Sequence, residues 1–97
     1  MNAVTARESC RIDVWLWRAR FFKSRALAAK FVDEGRVRLT RGPVETRLDK
    51  ASRTVRPGDG LVFALGGRVT AIVVEAIGER RGPASEARAL YSQVQNN

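Results

Sequence analysis

The chain has 97 residues, enough for one small domain that buries a modest core. Eighteen Lys and Arg against ten Asp and Glu give a net charge of +8, and the chain has one cysteine and no histidine. This composition excludes a disulfide framework within the chain and removes the commonest general base, while the charge favours a polyanionic partner, nucleic acid ahead of an acidic membrane.

The sequence contains no segment typical of a membrane or secreted protein. No apolar run reaches the roughly twenty residues that a membrane-spanning helix needs, and the first ten residues are too polar for a secretory signal. We therefore expect a cytoplasmic protein that does not bind membranes.

The excess positive charge is confined to the first part of the chain. Residues 1–58 hold fourteen basic and six acidic side chains, a net charge of +8, whereas residues 59–97 hold four of each. Fifteen of the eighteen basic residues are Arg, whose planar guanidinium suits paired hydrogen bonds to phosphate and stacking on bases. This distribution is typical of a localised surface that binds nucleic acid.

Two short helices are predicted after a disordered leader over residues 1–10, which includes the only cysteine. Asp13 is the predicted N-cap of a first helix over residues 14–21. Ser24 is the predicted cap of the second helix, and Gly35 ends it in the left-handed conformation. The apolar side chains expected to face the core are Ile12, Leu16 and Ala19 in the first helix and Leu27, Ala28, Phe31 and Val32 in the second.

Short strands and one more helix are predicted for the rest of the chain. Residues 36–40 alternate between basic and apolar side chains, as in a half-buried strand, and residues 61–65 and 69–77 form a hairpin around two glycines. A last helix is predicted over residues 84–94, because Pro83 suits a first-turn position.

These elements predict a single α+β domain, with two short helices packed on a small, mostly antiparallel sheet and a C-terminal helix beside it. In chain order, the predicted parts are the leader over 1–10 and a helix-turn-helix with strands over 11–60. A supporting hairpin over 61–82 and the last helix with a frayed tail over 83–97 complete the domain.

The basic residues of the helix pair and the following strand are the predicted contacts to nucleic acid. Lys23 and Arg25 flank the start of the second helix, where unpaired backbone N–H groups also attract phosphate. Arg11 suits either a phosphate or an acidic neighbour, and Trp17 suits either base stacking or packing. The predicted RNA-binding set is Arg11, Arg18, Arg20, Lys23, Ser24, Arg25, Lys30, Arg36, Arg38 and Arg41.

Four short motifs follow one another in this region: Arg11-Ile12-Asp13, Lys23-Ser24-Arg25, Gly35-Arg36-Val37-Arg38-Leu39 and Val55-Arg56-Pro57-Gly58-Asp59. In order and spacing they resemble the RNA-binding domain named after small-subunit ribosomal protein S-four. The resemblance covers roughly residues 11–60 and implies the αL-type RNA-binding motif of that domain.

Further segments narrow this resemblance: Trp15-Leu16-Trp17, Arg20-Phe21-Phe22-Lys23 and Arg80-Arg81-Gly82-Pro83-Ala84-Ser85-Glu86-Ala87. With them, nearly the whole chain is similar to the bacterial ribosome-associated heat-shock proteins of the fifteen-kilodalton class. That resemblance implies binding to ribosomal RNA of large subunits that still carry a nascent chain on transfer RNA, and a part in their rescue under heat stress. The chain departs from the family pattern at Val14 and at Thr40-Arg41-Gly42, and relatives often continue into a basic extension beyond the position of Asn97.

Other functions remain open at this point. About forty residues follow the motif region without a histidine, a cysteine or a carboxylate pair at useful spacing, so we predict a non-enzymatic monomer without cofactor or metal. The alternative is a DNA-binding helix-turn-helix protein, because two short helices joined by a turn also suit the major groove. Arg80 and Arg81 either make a second contact to the nucleic acid or belong to an exposed segment that leads into the last helix.

Overall fold

Ten helices and strands form an α+β fold in residues 8–94, the part of the chain that this computed structural model describes. In chain order they are β1 (Cys10–Arg11), α1 (Ile12–Arg18), α2 (Arg25–Asp33), β2 (Val37–Arg41), β3 (Val44–Leu48), β4 (Thr54–Val55), β5 (Gly60–Leu65), β6 (Arg68–Val74), α3 (Ala84–Arg88) and β7 (Tyr91–Gln93). No helix within these residues is both long enough and apolar enough to span a bilayer.

The main sheet has five strands in the order β3-β2-β5-β6-β7, and each neighbouring pair is antiparallel. In the register of β2, Val37 lies opposite Leu48 of β3 and Phe63 of β5. A separate antiparallel pair, β1 with β4, ties the start of α1 to the chain that follows β3. The predicted α+β class and the mostly antiparallel sheet are therefore confirmed.

One hydrophobic core joins α1 and α2 to the inner face of the sheet. Trp15 is completely buried there, and its indole Nε1 donates a 2.8 Å hydrogen bond to the main-chain oxygen of Ala76. The Trp15 ring lies 6.3 Å from the ring of Phe21 and 6.4 Å from that of Tyr91, measured between centroids. A buried indole needs a hydrogen-bond partner for its N–H. Because the partner here is Ala76, this bond connects α1 to the chain after β6.

Several local sequence signals are confirmed. The Oγ of Ser24 accepts a 3.1 Å hydrogen bond from the backbone N–H of Leu27, as an N-cap does. Gly35 follows α2 with φ of +76°, a conformation in which a Cβ is strained. Gly66 and Gly67 have φ of +62° and +78°, as expected of the two central residues of a tight hairpin turn.

The first helix differs from its prediction at both ends. It spans Ile12–Arg18, because Ile12 N–H donates to the main-chain oxygen of Arg53 at 2.7 Å and the helix starts directly from β1. Asp13 is therefore in the first turn, where its Oδ1 accepts from Val14 N–H at 2.8 Å, and its prediction as the N-cap is wrong. The helix ends before Arg20, which has a left-handed φ of +66°.

The C-terminal part also differs from its prediction. The last helix stops at Arg88, and residues 91–93 form β7 instead of continuing the helix predicted to residue 94. The edge of β6 is available for pairing, with Val74 opposite Tyr91, and the Tyr91 ring packs 4.8 Å from that of Phe21. Tertiary pairing and aromatic packing therefore override the local helical pattern.

Smaller differences concern two side chains. Leu27 was expected in the core but is 51% exposed, because α2 turns only Ala28, Phe31 and Val32 inward. Cys10 belongs to β1 and pairs with β4, so it is not part of a disordered leader. Residues 1–7 of that predicted leader and residues 95–97 of the predicted tail lie outside the described residues.

Candidate nucleic-acid interface

The start of α2 presents basic side chains to solvent. Lys23 and Arg25 are both exposed on either side of Ser24, whose hydroxyl is used in the cap. The guanidinium carbon of Arg25 lies 6.0 Å from the ring centroid of the half-buried Trp17. This cation–π contact orients Arg25 without neutralising its charge.

Arg18 and Arg20, both predicted to contact RNA, donate hydrogen bonds to the main chain of a later segment. Arg18 Nη1 donates to the main-chain oxygens of Ile77 and Gly78 at 3.3 and 2.9 Å. Arg20 Nε donates to the main-chain oxygen of Gly82 at 2.7 Å. These contacts cross about sixty residues of sequence, so the pattern around α1 could not reveal them.

Arg81, in the later segment, donates hydrogen bonds to the main chain of the helix pair. Its Nε donates to the main-chain oxygen of Trp17 at 3.1 Å, and its Nη2 donates to that of Phe22 at 3.4 Å. We call Arg18, Arg20 and Arg81 the arginine clasp, because together they fasten residues 77–82 to the end of α1 and the connection that follows it. Arg80, in contrast, is exposed and pairs with Glu86 at 2.6 Å.

Two other predicted contacts are paired with buried carboxylates. The guanidinium of Arg11 makes two hydrogen bonds to Asp13, at 3.0 and 3.1 Å, which raise the pKa of Arg11. Arg41 makes two to Asp59, at 2.7 and 2.9 Å, which raise the pKa of Arg41. Asp59 is only 3% exposed and also accepts from the backbone N–H of Arg56 at 2.8 Å. The neutralising carboxylates make both arginines poorer candidates for phosphate contacts.

Arg36 lies at the junction of α2 and β2 and has two neighbours. Its Nη1 lies 3.2 Å from Glu34 Oε1, in an ion pair whose members are both about half exposed. Its guanidinium carbon lies 4.2 Å from the ring centroid of Phe31. Because exposed ion pairs are weak, the ring fixes this guanidinium at least as much as the carboxylate does.

The remaining predicted cations are exposed on α2 and β2. Within residues 8–94, the side chains of Lys23, Lys30 and Arg38 have no carboxylate partner. Arg38 lies directly opposite Arg47 in the register of β2 and β3, so two exposed guanidinium groups share the outer face of the sheet. Sequence reasoning missed Arg47, although a hairpin at Gly42-Pro43 would have placed it across from Arg38.

Two adjoining surface hollows connect these cations. Lys30 and Arg36 line one with Phe22, and Arg36, Arg38 and Arg47 line the other. Since Arg36 belongs to both hollows, they connect Lys30 on α2 to Arg38 and Arg47 on the sheet, and Lys23 and Arg25 are exposed at the start of the same helix. We define this cationic patch as Lys23, Arg25, Lys30, Arg36, Arg38 and Arg47.

Comparisons with known proteins agree with this geometry. The S4 domain family model matches residues 10–39, which run from β1 through both helices into β2. A solved, trimeric structure of heat shock protein 15 from Vibrio cholerae has a TM-score of 0.78 and 34% identity, and the similarity covers 90% of this chain and 83% of that chain. The fold and the helix pair therefore define this chain as an S4-domain protein.

Sequence relatives identify the family within that class. Heat shock protein 15 of Escherichia coli strain K12 is 39% identical over 84 residues, which is 87% of this chain. A homolog from Haemophilus influenzae is 30% identical over 92 residues, which is 95% of this chain. The chain belongs to the heat shock protein 15 family, and it spans 59% of the length of the Escherichia coli protein.

Proposed function

We propose that this chain binds helical RNA through the cationic patch and carries out no chemistry. The observation that supports this most is the set of six exposed cations, five of which have no carboxylate partner among the described residues. Proteins read double-stranded RNA through its phosphates, its 2′-hydroxyls and its shape, because the base edges lie in a deep, narrow groove. Cations carried on a helix and a neighbouring strand suit that task.

The proposed target is ribosomal RNA of the large subunit, in the cytoplasm. This target is what the sequence resemblance implies, and the names of the relatives, which are heat shock proteins, support only a connection with heat stress. We propose further that the chain helps to rescue stalled large subunits that carry a nascent chain on transfer RNA under heat stress. Crosslinking in cells at normal and raised temperature, followed by sequencing of the bound RNA, tests the target directly.

The patch itself can be tested with two charge-matched variants. The first replaces Lys23, Arg25 and Lys30 by Ala; the second replaces Arg56, Arg68 and Arg88, which are exposed and outside the patch. Both variants lose three positive charges, so the nonspecific electrostatic attraction between protein and RNA falls equally in the two. We expect the first variant to lose at least about tenfold in affinity for an RNA duplex, and the second to lose much less. Equal losses would contradict a localised surface.

DNA binding by the helix pair is the second candidate, because short helices joined by a turn can enter a major groove. Competition between DNA and RNA duplexes of equal length at one salt concentration separates the two. We expect RNA to compete better, because a surface that follows an A-form backbone fits B-form DNA poorly. Tighter binding to DNA would favour the second candidate.

The oligomeric state is a separate question. The chain was expected to be a monomer, whereas the similar structure from Vibrio cholerae is trimeric. We propose that the free chain is monomeric and that RNA binding does not need assembly. Light scattering across a concentration series, with and without duplex RNA, tests this proposal, and a stable trimer at low concentration would contradict it.

A further inference from the structure

One side of α2 carries a shallow groove at the edge of the hydrophobic core. Its members lie on the outer turns of α2 and on the chain segments at its two ends. We call it the stacking groove, and it is lined by Phe22, Leu27, Lys30, Phe31, Glu34 and Arg36.

The floor of the groove is apolar and partly open to solvent. Leu27 is 51% exposed although it is a large apolar residue on a helix that packs its other side into the core. Beside it, the half-buried ring of Phe22 lies 5.0 Å from that of Phe31, centroid to centroid. The groove therefore offers apolar contact area next to a cationic surface.

The wall of the groove is a guanidinium that is already oriented. Phe31 supports Arg36 at 4.2 Å, and Glu34 holds its Nη1 at 3.2 Å. A guanidinium plane supported on one side can stack against a nucleobase with its other side, at little further loss of side-chain entropy. Arg and aromatic side chains are the usual stacking partners of unpaired bases in RNA recognition.

The rim of the groove supplies charge. Lys30 is exposed, and within residues 8–94 it has no carboxylate partner. It lies on the same wall of α2 as Leu27, three residues earlier, and Glu34, four residues later, and residues at these spacings are neighbours on a helix surface. An ammonium group at this position can contact the phosphate of a nucleotide whose base enters the groove.

We propose that the stacking groove receives a single unpaired nucleotide of RNA. The base stacks on Arg36 and contacts Leu27, and the phosphate is bound by Lys30. Charge complementarity favours a nucleotide over an apolar peptide segment, because two cations against one carboxylate, Glu34, border the groove and both cations belong to the cationic patch. This inference rests on the proposed function and adds to it a preference for RNA helices that contain a bulge.

Three RNA duplexes of equal length test the proposal. One is fully paired, one has a single-nucleotide bulge, and one has an abasic bulge with the same extra phosphate. We expect the wild-type chain to bind the bulged duplex about tenfold more tightly than the abasic one, since only the bulged duplex supplies a base that can stack. Equal affinity for the bulged and abasic duplexes would overturn the proposal and would fit a groove that binds an apolar segment instead.

A conservative variant separates stacking from charge. Arg36→Lys keeps the positive charge but removes the planar group, so the ratio of affinities for the bulged and the abasic duplex should fall to about one, whatever the change in affinity for the paired duplex. Arg47→Lys is the matched control, because Arg47 belongs to the cationic patch but not to the groove, and it should keep the preference. Circular dichroism establishes that both variants are folded.

The outcomes distinguish this inference from the proposed function. A wild-type chain that binds no duplex at all contradicts both. A chain that binds the paired duplex without preferring the bulge contradicts only the stacking groove. A bulge preference that persists in Arg36→Lys also overturns it, because the base would then stack elsewhere.

Discussion

Arg41 and Asp59 face each other across the turn before β5, with Arg41 Nη2 at 2.7 Å from Asp59 Oδ2 and Nε at 2.9 Å from Oδ1. The Asp59 carboxylate is buried, whereas the Arg41 side chain remains 41% exposed. This asymmetry means that the two partners do not respond equally to truncation. An arginine that loses its partner can turn to water, but the carboxylate cannot.

The first prediction follows from that asymmetry. Arg41→Ala leaves a buried carboxylate without its cation and should lower the free energy of unfolding by about 2–3 kcal/mol. This loss is smaller than for a fully buried ion pair, because solvent screens the charge of Arg41. Arg41→Lys should recover part of the loss. Urea denaturation at neutral pH measures both, and a change below about 0.5 kcal/mol for Arg41→Ala would show that the pair is unimportant for stability.

The second prediction separates clasp arginines from patch cations. Arg81→Ala removes two hydrogen bonds to main-chain oxygens, so it should lower the free energy of unfolding by about 1–3 kcal/mol. Lys23→Ala should leave stability unchanged to within about 0.5 kcal/mol and weaken RNA binding instead. Thermal denaturation and RNA titration of both variants measure this crossed pattern, and a fully folded Arg81→Ala that loses as much RNA affinity as Lys23→Ala would contradict it.

The third prediction concerns the salt dependence of RNA binding. If the cationic patch engages about five phosphates, the logarithm of the binding constant should fall with the logarithm of salt concentration at a slope of roughly −4. Replacing Lys23, Arg25 and Lys30 by Ala should reduce the slope to roughly −1 to −2, because each lost phosphate contact removes about 0.9 from it. Titrations at several salt concentrations measure both slopes, and an unchanged slope would place the phosphate contacts elsewhere.

The fourth prediction concerns Cys10. Burial is the main cause that raises the pKa of the Cys10 thiol above its ordinary value, and Arg18 partly opposes it. The thiolate is the reactive form, so alkylation of the folded chain should reach half its maximal rate at a higher pH than alkylation of the urea-unfolded chain. Because folding favours the neutral thiol, this group's stabilising contribution is complete below the unfolded pKa and is lost as the pH rises through the folded one. Equal pH profiles for the two states would contradict this.

Local signals in the sequence were sufficient for much of the fold. Ser24 and Gly35 mark the ends of α2 through hydrogen bonding and backbone conformation that depend on a few neighbouring residues. The hairpin at Gly66-Gly67 is likewise set by local conformation, because the two turn residues have positive φ values that glycine adopts readily. In contrast, β7 forms because the edge of β6 is available, and no pattern within residues 84–94 indicates that edge.

The candidate site was only partly predictable for a similar reason. Sequence alone shows that arginines are abundant near the helices, but it does not show which of them bind the protein's own main chain. Arg18 and Arg20 bind carbonyl oxygens that are about sixty residues later in the sequence, and Arg41 binds a carboxylate eighteen residues later. Lys23, Arg25 and Lys30 stay exposed, as the sequence predicted, because α2 turns its apolar side toward the sheet.

The arginine clasp also has a consequence for how the protein is made. Trp17 and Arg81 are 64 residues apart, so α1 and α2 leave the translating ribosome well before their fastening segment does. The helix pair thus acquires its final geometry late in synthesis, when β6 and residues 77–82 are in place. A chain interrupted before that point would carry most of the cations needed for RNA but would lack the support that sets their spacing.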